Sequence, residues 1–170
     1  MTKNNRAFWL VFLLLGASFL GSSGVRAQTD ASISVQGEVL HPVVLKASDL
    51  AAMKQVTVTV KDEAGQEQTY SGVAVSDILG QAGVTLGKQL RGENMSKYLL
   101  VKSGDGYEVL FSLPELDSAF SDKTIILADQ LNGQPLPGGK GPFRIIVPGE
   151  KKHARWIWEV RTLTVGFAKE

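Results

Sequence analysis

Five β-branched residues in a row, Val56-Thr-Val-Thr-Val60, constrain the fold more than any other stretch. Such side chains are stiff about χ1 and pack best on a pleated surface, so this segment predicts a strand. Its surroundings carry the same message. Ile33, Val35 and Val39 alternate with polar neighbours, the pattern of a half-buried strand, and His41-Pro42 ends it. The polar stretch 61–68, with Gly65 near its middle, predicts a hairpin loop into a strand at 69–74. Residues 98–102 and 107–112 flank Ser103-Gly-Asp-Gly106, a second hairpin turn. Further strands are expected at 124–128, 143–147 and 155–165, with a Gly/Pro-rich turn opening at Asn132-Gly133.

The helical signals are short. Ser48 is the expected cap of a helix over 49–53. Ser76 is the expected cap of another, with Asp77 in its first turn, Ile78, Leu79 and Ala82 as an apolar face, and Gly83 as its stop. Leu113-Pro-Glu-Leu116 suits a single turn with proline near its first position. Many short strands with few helices predict an α+β chain, a strand-rich mixed-sheet domain with short helices.

The N-terminus has a separate logic. Lys3 and Arg6 precede an apolar run at 7–20, and Val25-Arg-Ala27 supplies a small-x-small site. That arrangement predicts a secretory signal peptide over 1–27. Its apolar run is too short to span a hydrocarbon layer of roughly 30 Å, so no stable membrane span is expected after cleavage. One domain, 28–170, remains. Of 18 basic residues three lie in the leader, which leaves 15 against 17 acidic and a net charge of −2. No nucleic-acid partner is expected from that balance. The chain has no cysteine, hence no disulfide framework, thiolate ligand or thiol nucleophile. The two histidines, His41 and His153, show no zinc-site spacing, and no Gly-x-Ser-x-Gly elbow is present.

Near the C-terminus, Lys151, Lys152, His153 and Arg155 form a basic run beside Trp156 and Trp158. Charge runs are usually solvated, so the lysines are expected in a turn. The tryptophans, two apart, are expected to share one strand face and to pack. Gly138-Gly-Lys-Gly141 reads first as loop geometry, with an anion nest as the sharper alternative. Asp105, Glu108, Glu115 and Asp117 read as surface charge, with Asp117 and Asp122 as a possible rim.

Three strings in order, Gly-Val-x-Val-x-Asp-Ile-Leu from Gly72, Asn-Gly-x-Pro-Leu-Pro from Asn132, and Pro-x-Arg-x-x-x-Pro-Gly from Pro142, are followed by Arg155-Trp156. In that order the chain resembles the oxidoreductase molybdopterin-binding domain family, of sulfite-oxidase-type fold, over roughly 33–165. The resemblance implies a mixed α+β domain holding a pyranopterin, and it implies cofactor-binding roles for Lys140, Arg144 and Arg155. It also implies a cysteine thiolate for molybdenum between the early strand and the next helix. Residues 56–77 hold no cysteine and offer the hydroxyls of Ser71, Ser76 and threonines instead. Where the family places Lys-Trp, this chain has Trp158-Glu159. Cofactor-loaded members cross membranes folded, by a twin-arginine signal, and this leader has no paired arginine.

The expected function is therefore an exported, periplasmic or secreted, non-catalytic module. It would bind an anionic small ligand or a periplasmic protein partner, with no metal and no catalytic residue, and no cofactor is expected although molybdopterin is the one the resemblance allows. The alternative is a divergent molybdopterin-dependent oxidoreductase.

Overall fold

The computed structural model describes residues 31–168. The expected signal peptide, 1–27, lies outside the described residues. In chain order the elements are β1 (Ser32–Gly37), β2 (Val43–Lys46), α1 (Ala47–Ala52), β3 (Gln55–Lys61), β4 (Glu67–Ala74), α2 (Val75–Gln81), β5 (Lys97–Ser103) and β6 (Glu108–Ser112). They continue with α3 (Leu113–Leu116), β7 (Ile126–Leu131), β8 (Gln134–Pro135), β9 (Arg144–Ile146) and β10 (Val160–Phe167). Short 3-10 turns occupy Gly87–Gln89, Gly92–Ser96 and His153–Arg155.

The strands form two sheets. One has the order β2-β1-β10-β5-β6, in which β1 and β10 run parallel and the other pairs antiparallel. The other has the order β3-β4-β7-β8, and β9 also pairs with β7. Period-two burial is clearest on β5, where Leu99 and Val101 are fully buried between half-exposed Tyr98 and Leu100. Leu163 and Val165 of β10 and Ile33 and Val35 of β1 join them in one apolar cluster that also takes Ile126, Leu127, Ile145 and Ile146 from the second sheet. Burying each such side chain contributes roughly 1.5–3 kcal/mol. The mixed-sheet, helix-poor architecture is the one the sequence predicts.

Several local expectations hold. Gly65 adopts φ +81 in the β3–β4 turn, and Asn132 and Gly133, at φ 51 and 74, make the two-residue turn from β7 to β8. Ser103 N–H donates to Tyr107 O at 2.9 Å across the β5–β6 turn. In α3 the Glu115 carboxylate reaches back to the Ser112 N–H at 2.7 Å.

Others need correction. Neither serine caps its helix. Asp49 accepts the Lys46 N–H at 2.8 Å, so α1 begins one residue before Ser48. At α2 the Val75 N–H donates to Ile125 O at 2.9 Å, which carries the sheet ladder into the helix and removes the need for a side-chain cap. The last strand begins at Val160, not Arg155. Residues 156–159 instead run beside β9: Ile145 N–H donates to Ile157 O at 3.0 Å and Val160 N–H to Phe143 O at 3.1 Å. Glu159, at φ 49, turns the chain out of this arrangement and into β10.

Candidate functional site

β9 is three residues long and buried throughout, and its first residue is Arg144. Ala128 lies opposite on β7 and Gly72 beyond it on β4, so the neighbours in this row lack bulk. A buried guanidinium requires partners, because burial alone disfavours its charge. Two are hydrogen-bond acceptors: Nε donates to Trp156 O at 3.3 Å and Nη1 to the Tyr70 hydroxyl at 2.8 Å. The others are aromatic faces. The guanidinium carbon is 3.1 Å from the Trp158 ring centroid, 5.4 Å from that of Trp156 and 5.6 Å from that of Tyr70.

The cage is itself braced. Trp156 donates through Nε1 to Val147 O at 3.1 Å, meets Tyr70 edge-on at 6.1 Å, and stacks on His153 at 3.7 Å between centroids. Burial pulls the Arg144 pKa down from its ordinary value to about 10, with the Tyr70 hydroxyl and the Glu63 carboxylate resisting that shift. The group remains a cation at neutral pH, and among the described residues its Nη2 has no hydrogen-bond partner.

Arg144 forms part of the wall of an open cleft of about 550 Å3. Tyr70, Trp156, Trp158 and His153 supply its aromatic lining, and Lys140 a second cation, with Nζ 4.9 Å from the Trp158 centroid. The β3–β4 turn contributes Asp62 and Glu63 to the same cleft. Asp62 is held in place by its own turn, accepting the Ala64 and Gln66 N–H groups at 2.9 and 2.8 Å and the Gln68 side chain at 3.1 Å. Those bonds, led by that from Gln66, keep its pKa below the usual carboxylate value.

Lys140 and Arg144 are thus brought together, and Arg155 is not brought to them. Arg155 donates to Glu150 through Nε and Nη2, to Glu115 through Nη1 at 3.1 Å, and to Leu110 O at 3.3 Å, while lying 4.5 Å over the Phe111 ring. Burial works to lower its pKa, and the two carboxylates more than reverse that, so it stays above its ordinary value. Its guanidinium ties β6, α3 and the 150–155 turn together. Lys151 and Lys152 are exposed, as expected of a solvated turn.

In the glycine-rich loop, the Lys140 N–H closes a turn onto Pro137 O at 3.0 Å, so loop geometry accounts for it. Trp156 and Trp158 lie in an irregular segment rather than on a strand face, yet both turn to Arg144. Asp117 is a further correction: it is buried, and its carboxylate accepts the Gly87 and Ala119 N–H groups instead of lining a rim. Tyr70, Asp62 and Glu63 were not singled out from the sequence. Strand alternation alone places Tyr70 inward, but its contact with Arg144 spans 74 residues.

The model of the family described as the oxidoreductase molybdopterin binding domain matches residues 23–166. The chain belongs to that family. Among solved structures it is similar to the sulfane dehydrogenase SoxCD of Paracoccus pantotrophus, at 22% identity and a TM-score of 0.66. That likeness covers 84% of this chain and 39% of the SoxCD chain, so this chain spans well under half of that protein, and the likeness shows the fold. Among curated proteins none matches.

A molybdopterin-binding domain raises the question of whether these residues fit a molybdenum cofactor. Molybdenum favours soft sulfur, and this chain has no cysteine to offer. Ser71 is not a substitute in the cleft: its hydroxyl lies 3.1 Å from that of Thr57, and strand alternation turns it away from the face that carries Tyr70. Among the described residues no three of His, Cys, Asp or Glu are grouped to hold an ion. The donor set therefore does not fit the metal, whereas the buried arginine and Lys140 fit an anion.

Proposed function

We propose that this molybdopterin-binding-type domain acts after export as a non-catalytic module, and that its Arg144 cleft binds a small anionic ligand. One observation carries the reading. A cation 7% exposed, stacked on aromatic rings and with Nη2 unbonded among the described residues, is presented to a cleft whose chain has no thiolate to seat the family's metal. An arginine in a low-dielectric wall gives charge-assisted hydrogen bonds of about twice ordinary strength. The half-exposed Trp158 ring supplies area for the ligand's body. Export is supported by the basic, apolar and small-x-small order of residues 1–27.

The experiment is a joint measurement on protein purified from its native host. Intact mass tests for a chain starting at Gln28. Metal analysis with pterin fluorescence tests the cofactor, and titration with carboxylate and phosphate anions tests the cleft. A Gln28 start, no stoichiometric molybdenum, and anion binding that depends on Arg144 are expected. Stoichiometric molybdenum with bound pterin favours the oxidoreductase reading, to which the family membership lends support.

A further inference from the structure

The cleft is not simply basic. The ionised side chains lining it are two cations, Lys140 and Arg144, and two carboxylates from the β3–β4 turn, Asp62 and Glu63, in balance, and His153 lines it too. Glu63 is exposed, and its charge reaches Arg144, supporting the buried guanidinium from the β3–β4 turn. A dianion entering this space would be attracted by two cations and repelled by two carboxylates. A molecule with one negative and one positive end meets complementary charge at both. Of its aromatic lining, Tyr70 and Trp156 are buried and Trp158 is half-exposed, so Trp158 is the ring with surface left for a planar body or for a cation over its face.

We infer that the ligand of this cleft is a small aromatic zwitterion, its carboxylate on Arg144 and Lys140 and its ammonium toward Glu63 and Asp62. This rests on the anion-binding reading and refines it. Two of the five Arg144 N–H groups are held by Trp156 O and Tyr70, which leaves an end of the fork that matches one carboxylate.

Two probes separate the ideas, 4-(aminomethyl)benzoate and 4-methylbenzoate, which differ by an ammonium group. Binding is read by calorimetry and by quenching of tryptophan fluorescence at pH 7, with inorganic phosphate as a third probe. The aminomethyl compound is expected to bind about tenfold more tightly, a difference of about 1.4 kcal/mol. Glu63→Gln is expected to cut that preference at least threefold without weakening 4-methylbenzoate. Equal affinities for the two benzoates, or no binding of either, overturn the inference. So does a Glu63→Gln variant that strengthens both equally, since Glu63 would then be a competing charge and not a recognition group. If binding of any of the three probes depends on Arg144 while the ammonium is ignored, only this inference fails. If no anion binding depends on Arg144, the cleft reading fails with it.

Discussion

Replacing Arg144 with methionine separates the architecture of the cleft from its purpose. The folded-state pKa of about 10 lies below the ordinary arginine value expected of the unfolded chain. The unfolded chain therefore holds more protons between those values, and stability rises with pH from about 10 up to the ordinary arginine value. Below that window, and so at pH 7, the charge opposes folding in full. At roughly 1.36 kcal/mol per pH unit the opposition is about 3 kcal/mol, relieved when the charge is removed. Against it, Trp156 O and the Tyr70 hydroxyl lose their donor, at roughly 1–2 kcal/mol each for a buried group left unpaired. Methionine recovers some stabilisation, about 0.3–1.5 kcal/mol, from sulfur against the rings. The opposing terms partly cancel. Urea unfolding should therefore show a stability change between a loss of about 1 kcal/mol and a gain of about 2.5 kcal/mol, with an unchanged m-value, while anion binding is lost. A destabilisation above roughly 3 kcal/mol with binding intact would refute the reasoning and make Arg144 a structural cation.

Arg155 should behave in the opposite way. Arg155→Met removes partly exposed ion pairs to Glu115 and Glu150 and a bond to the β6 edge, and should reduce stability by about 1–3 kcal/mol with anion affinity unchanged by titration. A Cβ at Gly72 would lie 2.1 Å from Leu127 O and 2.6 Å from the Ala128 Cα, both rigid backbone, so Gly72→Ala should lower the thermal midpoint by about 4 °C or more. Asp129 has a pKa raised by burial, so the folded form binds more protons just above 3.8 and stability falls as pH rises through the raised pKa. Asp129→Asn should remove that slope and be the more stable form at pH 7, as measured by urea midpoints at several pH values.

The sequence carries the local part of this fold well, since stiff β-branched residues and turn residues act over a few positions. The β3–β4 hairpin, the β5–β6 turn and the single-turn α3 are all legible that way. Where a tertiary contact competes with local preference, the reading shifts. Residues 156–159 look like strand but are drawn beside β9, and Val75 exchanges a side-chain cap for the Ile125 carbonyl. The site divides along the same line. Arg144 stands in a recognisable Pro-x-Arg string, and Lys140 in a glycine-rich turn. Tyr70 and Glu63 become visible only when β4 with its turn and β9 are both assembled on β7. Arg155 has the same charge and a basic neighbourhood, and only the positions of Glu115 and Glu150 show that it is already engaged.

β10, the last strand, is the central one of its sheet, lying between β1 and β5. A nascent chain emerging N-terminus first thus exposes two unfinished ribbons, β2-β1 and β5-β6, that nothing joins until β10 follows them. Closure of this sheet waits for β10, which pairs with strands far back in the sequence, and such non-local pairing is slow. Trimming even a few residues from β10 would remove the keystone, leaving two strand pairs with bare inner edges inclined to stick to those of other molecules.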